Sequence, residues 1–120
     1  MLQPDSRRRQ LSIESMVECY FAAIRARDID SLLALYAQDA AFILPNGKEF
    51  RGIAAIGEMQ RAVFAGAAPI PTVVNKVFGE NSAAIEIEAC LADGTVRRTA
   101  NFYTLSPAGR IARLSVYMRS

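Results

Sequence analysis

Residues 32–52 read LLALYAQDAAFILPNGKEFRG, and three patterns follow one another within them. Leu32, Leu35 and Tyr36 keep helical spacing, Ala40 to Leu44 form an apolar run of strand length, and Pro45-Asn46-Gly47 has the side chains of a tight turn. Arg51-Gly52 then leads into another helical stretch. A chain that leaves helix period for strand period within a few residues, turns, and returns to helix is packing helices against a sheet.

Upstream, Ser12 is placed to cap a helix over residues 12–27, because Ile13, Met16, Val17, Tyr20, Phe21 and Ile24 form one apolar stripe. Leu11 stands where a staple onto Met16 would start, and Arg25 and Arg27 suit the negative end of the helix dipole. Asp28-Ile29-Asp30-Ser31 breaks this helix, with Asp30 as the expected cap of a second helix that ends near Ala37. Downstream, a third helix is expected from Ile53 to Ala65, with Ile56, Met59, Gln60 and Val63 on one face and Gly66 closing it. Ala67-Ala68-Pro69-Ile70-Pro71 reads as a loop, since its prolines remove backbone donors.

From Thr72 the pattern is strands separated by turn signals: residues 72–78, 83–91, 95–105 and 111–118, divided by Gly79-Glu80-Asn81, Asp93-Gly94 and Ser106-Pro107-Ala108-Gly109. Helices first and hairpin-linked strands afterwards predict an α+β chain with the helices on the concave side of a twisted sheet. Residues 1–11 read as a flexible tail and residues 12–120 as a single domain.

Composition narrows the chemistry. A chain of 120 residues buries about two-thirds of its unfolded surface, which supports one core, and 52% hydrophobic with 22% charged residues is a globular balance. There is no histidine, which removes Ser-His-Asp and Cys-His catalysis, imidazole acid–base chemistry and the usual zinc sites. Cys19 and Cys90 have no metal-ligand spacing and are expected to be reduced, partly buried thiols. The basic run Arg7-Arg8-Arg9 falls in the tail without interleaved aromatics, so no nucleic-acid partner is expected. No apolar run approaches a membrane span and no signal peptide is evident, which predicts a cytoplasmic protein with no membrane association. No motif requires a metal, nucleotide or flavin, so no cofactor is expected.

Four stretches in sequence carry a family resemblance: the aromatic pair in VECYFAAI, the acidic break and strand start in RARDIDSLLALYAQDAAF, the helix start RGIAAIGEM and the closing GRIARLSVYM. Together they resemble the SnoaL-like, or ketosteroid-isomerase-like, superfamily, which also contains the nuclear transport factor two-like proteins. The resemblance implies a cone-shaped, cystatin-like α+β fold in which three N-terminal helices pack on a curved, mostly antiparallel sheet enclosing a pocket. It implies no single reaction, because isomerases, dehydratases, cyclases and transport factors share this fold. By position, Tyr20 resembles the family's donor tyrosine and Asn101 stands where a second donor is found. The carboxylate base of ketosteroid isomerases would sit just before Pro45, where this chain has Leu44, which cannot take a proton.

Two registers are open for the only mid-strand acids. Isoleucines 85 and 87 inward leave Glu86 and Glu88 outward, facing Arg98 across the Asp93-Gly94 hairpin; a slip of one residue buries Glu86, Glu88 and Cys90 instead. The desolvation cost of two carboxylates favours the first, while the second would supply a raised-pKa base for an enzyme. With isoleucines inward, the expected cavity is lined by Val17, Tyr20, Phe21, Phe42, Leu44, Met59, Val63, Ile87, Leu114, Val116 and Met118, with Tyr20, Asn101, Tyr103 and Gln60 as polar points. Such a cavity suits a small hydrophobic molecule carrying a carbonyl or hydroxyl, and isomerase- or lyase-type carbonyl chemistry with Tyr20 and Asn101 as donors. The alternative is a non-catalytic dimerisation or partner-binding domain whose side chains fill the cavity. Outward Phe102, Ile111 and Tyr117 predict a homodimer through the outer sheet face, with Glu88, Arg98 and Arg113 at its rim.

Overall fold

In the computed structural model, which describes residues 12–66 and 69–119, α1 (Ile13–Ala26) begins where Ser12 Oγ accepts the Ser15 N–H at 3.1 Å. The tail at 1–11, with its staple residue Leu11 and basic run, and Ala67-Ala68 of the loop lie outside the described residues. Arg27 ends the helix in the left-handed region at φ 54°, with its N–H on the Ile24 carbonyl and the Asp28 N–H on the Ala23 carbonyl. Asp28, not Asp30, caps α2 (Ile29–Leu33): its carboxylate accepts the Ser31 hydroxyl at 2.7 Å and N–H at 3.1 Å, which hold its pKa below the usual carboxylate range.

The second helix is shorter than its spacing predicts. It stops at Leu33, and Tyr36 opens β1 (Tyr36–Ile43) because the Leu35 carbonyl accepts the Ile111 N–H at 2.8 Å and Tyr36 pairs with Ile111 of the last strand. The turn after β1 closes with the Gly47 N–H on the Leu44 carbonyl and Gly47 at φ 89°, returning the chain as β2 (Glu49–Arg51). This three-residue strand has no apolar alternation to announce it. Gly52 then takes φ 90° and ψ 155° while its N–H bonds the Ala40 carbonyl at 2.7 Å, and α3 (Ile53–Ala65) follows. Packing of α3 on α2 is close: a Cβ on Gly57 would lie 3.0 Å from Leu33 Cδ1.

The remaining strands are β3 (Thr72–Phe78), β4 (Ser82–Cys90), β5 (Val96–Leu105) and β6 (Ile111–Arg119), in one curled sheet of order β2-β1-β6-β5-β4-β3. Every neighbouring pair is antiparallel except β1 with β6, which is parallel. The architecture is the expected α+β arrangement of helices followed by a mostly antiparallel, open sheet. Its core joins the α1 stripe (Ile13, Met16, Val17, Tyr20, Phe21) to Leu32, Tyr36, Ile56, Ile85, Ile111 and Leu114. No helix among the described residues is long and apolar enough to cross a membrane.

Ile85 and Ile87 are buried, whereas Glu86 is exposed and accepts the Asn75 Nδ2–H at 3.0 Å. Glu88 pairs with Arg98 across the hairpin at 3.1 Å. The glutamates therefore occupy the outer face, and the slipped register is excluded. Two other expectations need correction. Ile111 is fully buried, because the β5–β6 register shifts between Thr104 and Leu105: Arg113 pairs with Thr104 and Ile111 with Leu105, so the extra residue Ala112 reverses the alternation. Cys19 and Cys90 are both exposed free thiols, since Cys19 lies off the apolar stripe of α1 and Cys90 shares the outer face of β4 with the glutamates.

Candidate functional site

The inner end of the sheet's concave face, the α1 stripe and the α3 end leave one large cavity, of about 660 Å³, within the range that holds a small organic molecule. Tyr20 and Phe21 enter it from α1, Phe42 from β1, Val63 from α3, Ile87 from β4, Asn101 from β5 and Val116 from β6, with Pro69–Pro71 at one side. Tyr103 and Leu114 are fully buried behind this wall, not on it. Leu44 and Met59 are half-buried against the core, Gln60 is buried within α3's inner face, and Val17 faces a smaller depression between α1 and β3. Met118 pairs with Thr99 near the end of β6, is 57% exposed, and does not reach the cavity.

The two polar points of the resemblance share this cavity. Both Tyr20 and Asn101 are buried; Asn101 donates Nδ2–H to the Tyr103 hydroxyl at 3.0 Å, which fixes its amide, and Tyr103 stacks edge-on to Tyr20 with ring centroids 5.3 Å apart. Burial pushes the Tyr20 phenol up to about 12, with the Tyr36 and Tyr103 hydroxyls pulling the other way. Burial raises Tyr103 well above the ordinary phenol value, and the Tyr20 hydroxyl adds to that rise while the Asn101 hydrogen bond opposes it. Tyr36 is raised by burial and then by the neighbouring Tyr20 and Tyr103; its hydroxyl has no partner in hydrogen-bonding geometry. All three phenols are thus neutral donors or acceptors near neutral pH, not bases.

Among the described residues no aspartate or glutamate lines the cavity. Among the described residues no group of three or more His, Cys, Asp or Glu side chains is arranged to hold a metal ion. The arrangement can polarise a carbonyl or bind a hydroxyl, and its described lining residues include no carboxylate to abstract a proton.

The sequence reading missed Ile24, Arg27, Leu91, Arg97 and Thr99 in the lining. Thr99 and Arg97 were recoverable, since they continue the period of two back from Asn101 along β5. Arg27 was not, because its place depends on a helix end where its Nη1 donates to the Phe64 carbonyl at 2.9 Å.

The fold has close structural relatives. A protein of unknown function with a cystatin-like fold from Methylobium petroleophilum aligns with TM-score 0.77 and 22% identity over 89% of this chain and 75% of its own. A candidate ketosteroid isomerase from Kribbella flavida aligns with TM-score 0.80 and 20% identity over 88% and 76%. A candidate polyketide cyclase from Sinorhizobium meliloti aligns with TM-score 0.73 and 24% identity over 85% and 93%. These identities establish the shared fold alone. No curated protein matches the chain in sequence. The SnoaL-like domain model matches residues 17–114, from within α1 into the last strand, and the chain belongs to the SnoaL-like domain family.

Proposed function

We propose that this protein binds a small, largely hydrophobic molecule carrying a carbonyl or hydroxyl, with Tyr20 and Asn101 as the hydrogen-bond donors to that group. The observation that carries the reading is the meeting of these two buried side chains in one mostly apolar cavity. Any turnover in this reading is carbonyl polarisation of the isomerase, dehydratase or cyclase type, with the proton taken by water or by the substrate itself, because Leu44 occupies the position of the usual base. Neighbours named as a ketosteroid isomerase and a polyketide cyclase agree in type with such chemistry.

A thermal-shift screen of neutral apolar carbonyl compounds and phenols tests it, since a ligand that binds the native state raises the melting temperature. Compounds that stabilise the wild type are expected to bind Tyr20→Phe and Asn101→Ala roughly 3- to 10-fold more weakly, the loss of one hydrogen bond each. Binding unaffected by both substitutions, or a wild type that no compound shifts, refutes it.

A second reading, a homodimer or partner contact through the outer sheet face, is favoured by a specific observation. Phe102, Tyr117 and Val77 are 49%, 53% and 61% exposed, and the first two rings lie 5.3 Å apart on β5 and β6. Sedimentation velocity is expected to give a dimer for the wild type and a monomer for the Phe102→Glu, Tyr117→Glu double variant. A monomeric wild type rules out self-association.

A further inference from the structure

We infer that the molecule this cavity selects is an anion, an apolar carboxylic acid or similar, whose charged end meets Arg97 at the mouth while its other end reaches Tyr20 and Asn101. The inference rests on the ligand-binding reading above and adds a class of substrate to it.

The cavity's polarity is graded along one strand. Asn101, Thr99 and Arg97 occupy alternate positions of β5 and all line the cavity; Asn101 is buried, Thr99 half-buried and Arg97 exposed. At ~3.3 Å per residue, the Asn101 and Arg97 Cα atoms stand roughly 13 Å apart, so the strand is a ruler from the buried donor to the opening. Arg97 pairs with Ala89 of β4, a small cross-strand neighbour that also lines the cavity.

Arg98, on the opposite face, is engaged by Glu88, but no carboxylate among the described residues pairs with Arg97. Arg27, whose Nη1 donates to the Phe64 carbonyl, also lines the cavity. A surface arginine is ordinarily only solvated. Here Arg97 shares the cavity lining with apolar residues such as Ile24 and Leu91, where a bound anion would lose less to solvent screening than on an open surface. An anion long enough to reach Tyr20 matches both ends, whereas a neutral ligand leaves the arginine idle.

Titration calorimetry with three probes decides it: 2-naphthol, 6-hydroxy-2-naphthoic acid and the methyl ester of that acid, each against wild type, Arg97→Gln and Arg98→Gln. The wild type is expected to bind the acid about 3- to 10-fold tighter than its ester, as one partly exposed charge-assisted contact allows, with the preference shrinking in salt. Arg97→Gln should erase that preference, weakening the acid more than the ester, and Arg98→Gln, which alters only the outer face, should keep it. Equal binding of acid and ester by the wild type, or a preference that survives Arg97→Gln, overturns the inference. If the naphthol and ester bind and weaken in Tyr20→Phe while the acid has no advantage, the ligand-binding reading stands without it. If none of the three binds, the reading beneath it falls and takes the inference with it.

Discussion

Tyr36 holds the one buried side-chain polar atom left without a hydrogen-bond partner among the described residues. A buried hydroxyl that gave up water and gained no partner costs about 1–3 kcal/mol. Tyr36→Phe is therefore expected to stabilise the protein by about 1 kcal/mol in urea unfolding, because the ring's packing is kept and only the orphan oxygen is lost. A loss of comparable size would mean that the hydroxyl is bonded in solution. At this scale the sequence was legible where a residue's chemistry speaks for itself: Leu44 cannot be a base wherever it sits. The isolation of the Tyr36 hydroxyl was not legible, since it depends on the positions of Tyr20 and Tyr103, which come from another helix and another strand.

Among the elements, the junction between β2 and α3 turns on Gly52. Its φ of 90° with ψ of 155° lies in a region that L-residues rarely adopt, yet a Cβ there would meet nothing nearer than the Gln38 carbonyl at 3.8 Å. Gly52→Ala is thus a test of backbone strain without a clash, expected to cost about 1–3 kcal/mol by urea unfolding, and a change under about 0.5 kcal/mol would refute the strain. Elements with strong internal signals were read to the residue: α3 runs Ile53–Ala65 and β3 Thr72–Phe78, as their stripe, glycine stop and turn residues predict. The end of α2 and the whole of β2 were not. The first is set by Ile111, far along the chain from Tyr36, and the second by Phe42 pairing with Phe50 across the turn, and no local period records a partner.

For the molecule as a whole, three buried phenols with raised pKa values link stability to alkaline pH. Their folded-state values lie above the unfolded one of about 10, so the native state holds these protons longer than the unfolded chain does. The stability involved is complete below about pH 10 and is lost as pH rises toward the folded values, on the order of 1.4 kcal/mol per pH unit for each phenol. The urea midpoint is expected to fall steeply between about pH 10 and pH 12, with tyrosinate absorbance from these residues appearing only as the fold opens. A flat midpoint there would contradict their burial.

What the sequence by itself determined is what short-range pattern and residue chemistry can carry: the order of the helices and the longer strands, the absence of any imidazole, and a resemblance strong enough to name the fold. Only the tertiary structure decided which side chains share the cavity, that Ile87 and not Glu86 or Glu88 faces it, that Ile111 turns inward at the Ala112 bulge, that both cysteines are exposed, and that exposed Arg97 joins the lining. The physical reason is that a period tells which face of an element a residue takes, whereas the depth at which it sits depends on curvature, register shifts and neighbouring elements that the packed core alone brings into place.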